Sequence, residues 1–159
     1  MNLFVTDTYY ISQCVLKKAY RVKIEAERQY FLETPNVVNQ KLLLSIYNAD
    51  YNSPTYYDSR NIEYQEIDKI VNALSKMFET ANKWRDEGRK GSNNIFLTTE
   101  KGIVIGYQRK KNEGQSAYIQ LNENKLFDFK EIIELNCLKD SFKKGKIFLD
   151  TYPDSLGGE

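Results

Sequence analysis

Histidine is missing from this 159-residue chain, and its absence narrows the chemistry available. Ser-His-Asp and Cys-His catalysis, histidine zinc sites and histidine pH switching all need an imidazole. Acid–base or metal-assisted work would fall to carboxylates, lysines or tyrosines. Carboxylates gather at Glu63, Glu66 and Asp68, with Asp50 and Asp58 upstream. Paired carboxylates can hold a divalent cation or divide acid and base roles. Acids also collect at helix starts because they offset the helix dipole, and that is the preferred reading. The Glu-x-Lys step from Glu123 to Lys125 lacks the upstream acidic strand that a nuclease site would need. Gly88 and Gly91 bracket Arg89 and Lys90, but no Lys-Ser/Thr follows, so they are not read as a phosphate loop. No catalytic residue, metal ligand or cofactor is assigned, and a carboxylate-based, metal-dependent hydrolase is the minor alternative.

The basic residues say more. Lys83, Arg85, Arg89, Lys90, Lys101, Arg109, Lys110 and Lys111 face only Asp86, Glu87 and Glu100 between positions 83 and 111. From Asp50 to Asp68 the balance reverses, with Arg60 among Asp50, Asp58, Glu63, Glu66 and Asp68. Tyr107 and Tyr118 fall on adjoining predicted strands beside the basic turn. Aromatic rings flanked by Arg and Lys can stack bases and hold phosphates. The candidate binding residues are therefore Arg85, Arg89, Lys90, Tyr107, Arg109, Lys110, Lys111 and Tyr118. The plainer reading is a solvated hairpin tip, where lysine is common.

Cys14 and Cys137 lie among apolar neighbours and read as small buried hydrophobes, without a redox or metal role. Two cysteines are too few for a disulfide-dense secreted domain. The formal net charge of +1 lacks the basic excess usual in a duplex-DNA binder. No apolar run approaches bilayer length, and Met1–Tyr10 lacks the features of a signal peptide, so the cytoplasm is expected. Frequent Asn, Lys, Ile and Tyr fit a low-GC bacterial or phage gene.

The elements that would position these residues can be sketched from periodicity. Tyr20, Val22, Ile24 and Ala26 alternate with charged residues, as in a half-buried strand. Ile11, Val15, Ala19, Val22, Ala26 and Tyr30 also fit helical spacing, so residues 8–33 stay open between strand and helix, with strand preferred. Pro35 and Asn36 break the element. The run 42–47 reads as a buried strand and 48–61 as a loop. Ile67, Ile70, Val71, Leu74, Met77, Phe78, Ala81 and Trp84 predict an amphipathic helix over about 61–85, capped by Ser59 or Asn61 and ended by Gly88. A three-stranded antiparallel meander follows at about 94–121, turning at Gly102 and Gly114. Asp128, with Glu131 three residues on, predicts the cap of a second helix over about 128–143, stopping near Gly145. A short strand at 146–149 and a flexible tail at 151–159 would finish the chain. No internal repeat is visible. The expectation is one α+β domain over 1–150, with a mainly antiparallel sheet and two amphipathic helices packed on one face.

Without site chemistry, the composition favours a small non-enzymatic protein-interaction module. Its type would be a bacterial or phage inhibitor or immunity-type protein that blocks another macromolecule. A single-stranded nucleic-acid binder using the basic, Tyr-bearing meander is the alternative. A membrane partner is not expected, and oligomeric state is left open.

Overall fold

The computed structural model describes residues 2–34, 36–50 and 55–157. It is an α+β fold with two antiparallel four-stranded sheets. The first sheet comprises β1 (Phe4–Val15), β2 (Tyr20–Phe31), β3 (Val37–Asn48) and β4 (Thr55–Glu63), in chain order. A short 3₁₀ turn leads into helix α1 (Ile67–Asp86). The second sheet comprises β5 (Asn93–Thr98), β6 (Val104–Lys110), β7 (Gly114–Asn122) and β8 (Lys125–Asp128), again in chain order. Helix α2 (Glu134–Gly157) follows.

The open choice in the first third resolves as strand. Val22, Ile24 and Ala26 are buried while Lys23, Glu25 and Glu27 face the other way, so period two governs this segment. A bulge at Ile11 shifts the β1–β2 register between Tyr10 and Ser12. The segment expected to be a loop holds most of β4, and Ile62, expected within the first helix, sits on β4 opposite Leu42 in the core. Its run of Tyr, Asp, Ser and Asn carries turn residues, but pairing with a long buried neighbour overrides that preference. Pro35 and Pro54 lie outside the described residues.

Both helices start later than expected. Ser59 and Asn61 belong to β4, so α1 begins at Ile67 without a side-chain cap. Gly88, at φ +60°, ends it as expected. Asp128 is not a helix cap either, because it closes β8, a fourth strand added to the meander. The chain then pairs Phe129 with Leu16 and turns before Glu134.

Helix α2 passes the stop expected at Gly145, replaces the strand expected at 146–149 and continues beyond Thr151. Gly145 serves packing here. A Cβ on it would lie 2.6 Å from Leu42 Cδ2, so the missing side chain lets α2 approach β3 closely.

The unit of four antiparallel strands and a helix thus occurs twice, a repeat the sequence does not display. The helices are exchanged between the units. Helix α1 packs mainly on β5, β6 and α2, whereas α2 lies against β1, β2 and β3. The buried apolar residues of both units form one connected core, running from Val22, Ile24 and Leu44 through Leu74 and Leu138 to Ile105 and Ile119.

Candidate binding surfaces

The predicted basic residues converge at one end of the second sheet. Gly88 reverses the chain after α1, with Arg89 N–H donating to Trp84 O at 3.2 Å. The Arg89 guanidinium stacks 4.8 Å from the Trp84 ring centre, a cation–π contact. The β6–β7 turn uses Asn112 at φ +66° and Gly114 at φ +82°. Lys111 N–H donates to Ser92 Oγ at 3.2 Å and ties this turn to the α1–β5 loop.

Two clefts result. One of about 410 Å³ is lined by Ser92, Asn93, Asn94, Gln108, Arg109, Lys110, Lys111 and Glu113. The other, of about 490 Å³, adds Arg89, Lys90 and the turn residues to the same Arg109–Lys111 run. Five of the candidate cations therefore line shared concavities. Arg85 lines neither cleft and pairs with Asp86 at 3.6 Å. The polar residues Ser92, Asn93, Asn94 and Gln108 were not legible as site residues, because nothing in their types separates them from ordinary strand and loop positions.

The two tyrosines are not available for stacking bases. Tyr107 is fully buried, facing Trp84 with ring centres 6.2 Å apart. Burial raises its phenol pKa, against the opposing charges of Arg109 and Arg85. Its hydroxyl has no hydrogen-bond partner among the described residues. Tyr118 packs closely on Gly106, is 4% exposed and donates to Asn94 Oδ1 at 2.9 Å. Burial raises its pKa as well.

Three of the five clustered acids have structural partners. Glu66 Oε2 accepts the Glu100 N–H at 2.7 Å. Asp68 pairs with Lys146 at 3.4 Å, and Asp58 pairs with Arg60 at 3.3 Å while also bonding Asn122. Among the described residues, the group of three ligand-type side chains drawn together is Cys14, Glu134 and Cys137, with none of these acids in it.

A larger surface was not singled out from sequence. The face of the first sheet opposite α2 has no described element packed on it. It is laid out by strand alternation: Phe4, Thr6, Thr8 and Tyr10 on β1; Lys23, Glu25, Glu27 and Phe31 on β2; Lys41, Leu43 and Tyr47 on β3; Tyr56 and Ser59 on β4. Its charges are internally paired, Lys23 with Glu25 at 3.3 Å and Lys41 with Glu27 at 4.0 Å. Lys23 Nζ also donates to Tyr56 Oη at 2.8 Å, and Tyr47 Oη bonds Gln13. Tyr10 is 61% exposed and Tyr56 53%.

The cysteines are corrected by the structure. Cys14 on β1 and Cys137 on α2 form a disulfide with Cα atoms 5.9 Å apart. Burial of Cys14 was legible in its apolar setting, but a partner 123 positions away was not.

No family model matches this chain, and no curated protein or solved structure is significantly similar to it.

Proposed function

We propose that this protein is a non-enzymatic binding module that acts by covering a protein partner with the open face of its first sheet, as a small inhibitor or immunity-type protein of a bacterium or phage would. The observation that carries this reading is the uncovered face itself. Twelve-residue strands and four-strand width give it roughly 40 Å by 15 Å. That is about what one partner contributes to a standard interface. Its exposed tyrosines suit hot spots, and its charges can set the register of a partner. Acids on this face disfavour a polyanion there.

The test is a tagged pull-down from host lysate, with and without nuclease. A stoichiometric protein should survive nuclease and be lost with the double variant Tyr10→Ala/Tyr56→Ala. A partner that binds the double variant equally well would sink the reading.

One observation favours nucleic acid as a second reading: two clefts share Arg109, Lys110 and Lys111 and add Arg89 and Lys90. With Tyr107 and Tyr118 buried, such binding would rest on phosphates and tolerate many sequences. The compartment proposed is the cytoplasm. Among the described residues no helix is long and apolar enough to cross a membrane. The disulfide weighs the other way, since such bonds persist in oxidising compartments.

A further inference from the structure

The disulfide sits at the seam between β1 and α2, and a carboxylate shares its site. Cys14 Sγ, Cys137 Sγ and a Glu134 oxygen lie within 4.8 Å of one another. Glu134 Oε2 accepts the Val15 N–H at 3.2 Å, which holds the carboxylate beside the sulfurs. Oriented ligands of this kind are the rule in metal sites. Ser141 Oγ stands 3.8 Å from Cys14 Sγ. Cys14 is fully buried, while Cys137 and Glu134 are half-buried.

In a reducing compartment the S–S bond does not persist. A small thiol reductant cleaves it by exchange: two reductant thiols become one disulfide, and the protein gains two thiols. Sulfurs that are no longer bonded must move apart to van der Waals contact. A tetrahedral Zn²⁺ with Zn–S bonds near 2.3 Å spans about 3.8 Å between two sulfurs. Reduction therefore opens the sulfur pair toward the spacing a metal requires, with the carboxylate already in place.

We propose that the reduced seam binds one thiophilic divalent cation, Zn²⁺ in the first instance, through Cys14, Cys137 and Glu134. The Ser141 hydroxyl, 3.8 Å from Cys14 Sγ, and the Gln13 carbonyl, 3.4 Å from Cys137 Sγ, are the protein groups at hand for the fourth position. Both thiols release their protons to solvent on binding. The metal then holds the start of α2 against the end of β1 where the disulfide does so in the oxidised chain. The protein keeps this staple in either redox setting.

The test uses the full chain, reduced anaerobically with a phosphine, its two thiols confirmed by titration, then titrated with Co²⁺. The expected result is a thiolate-to-cobalt charge-transfer band with the intense visible bands of a tetrahedral site, saturating at one Co²⁺ per chain and bleached by Zn²⁺. Glu134→Ala retains both cysteines and should weaken Co²⁺ binding roughly tenfold or more. An oxidised Glu134→Ala chain with a cooperative melt verifies that the variant folds. A folded, reduced chain that shows no charge-transfer band in excess Co²⁺ overturns the site. Unchanged Co²⁺ affinity in Glu134→Ala overturns the three-ligand assignment.

Discussion

At the residue scale, two glycines are used for what they lack. Gly106 lies under the Tyr118 ring, and a Cβ there would come within 2.3 Å of Cζ. Gly106→Ala must expel a buried ring and break its bond to Asn94, at a cost of about 2–3 kcal/mol. Gly145→Ala meets the tip of a Leu42 side chain instead, and alanine also gains helix propensity. Its net cost should be about 1 kcal/mol or less. Chemical denaturation of the two variants checks the contrast, and equal costs would contradict the close fit described at Gly106. A third residue-scale expectation concerns Asp150 on α2, which accepts from Tyr64 Oη and pairs with Lys146 at 3.2 Å. The tyrosine hydrogen bond, then Lys146, lowers its pKa below 3.8. A carboxyl depressed in the folded state stabilises above its unfolded pKa, and that stability is lost as pH falls through the folded value. The melting difference between wild type and Asp150→Asn should therefore be present at neutral pH and shrink below about pH 3.8. A difference independent of pH would remove the ionised carboxylate from the account.

At the element scale, α2 is held to β1 by more than apolar packing. The disulfide closes a loop with a sequence separation of 123. Chain-entropy reasoning assigns such a bond about 4–5 kcal/mol. Reduction in the presence of a chelator should lower the melting temperature substantially. A shift of less than a few degrees would mean that the unfolded chain gains little freedom from the cut. Side chains of α2 also close the outer edge of β1. Lys144 Nζ donates to Ile11 O at 3.4 Å, and Glu134 accepts from Val15 N–H. An edge strand covered in this way is protected from unwanted pairing.

At the scale of the whole molecule, exchange of the helices between the two sheets decides how the chain folds. Each sheet buries its apolar face largely against the helix that follows the other sheet. A fragment ending after α1 would leave Val22, Ile24, Ala26 and Leu44 without the helix that covers them. Such a fragment (residues 1–90) should show no dispersed NMR spectrum on its own. A cooperatively folded fragment would refute the exchanged arrangement. Charge is also organised at this scale. Arg109→Ala/Lys110→Ala/Lys111→Ala should leave stability nearly unchanged, since Lys110 and Lys111 are exposed and Arg109 is only half-buried. If single-stranded nucleic acid binds the tip, the triple variant should reduce the slope of log affinity against log salt by about 2. An unaltered slope would clear the tip of that role.

Much of this molecule was set by local sequence. Alternation in Tyr20–Glu27, the helical stripe of α1 and the glycine turns of the meander each commit their segment, because the periodicity of buried side chains matches one backbone geometry. The grouping of cations at positions 83–111 likewise survives in the clefts, since it needs only one hairpin and one loop to become neighbours. What tertiary structure alone decided depends on distant partners. Strand β4 forms because β3 is there to pair with it. Gly145 lies inside α2 because the helix packs closely on Leu42 there and leaves no room for a side chain. Tyr107 and Tyr118 enter the core because a helix and a glycine accept them. The union of Cys14, Glu134 and Cys137 requires strand and helix to meet across most of the chain, and no spacing in the sequence encodes that meeting.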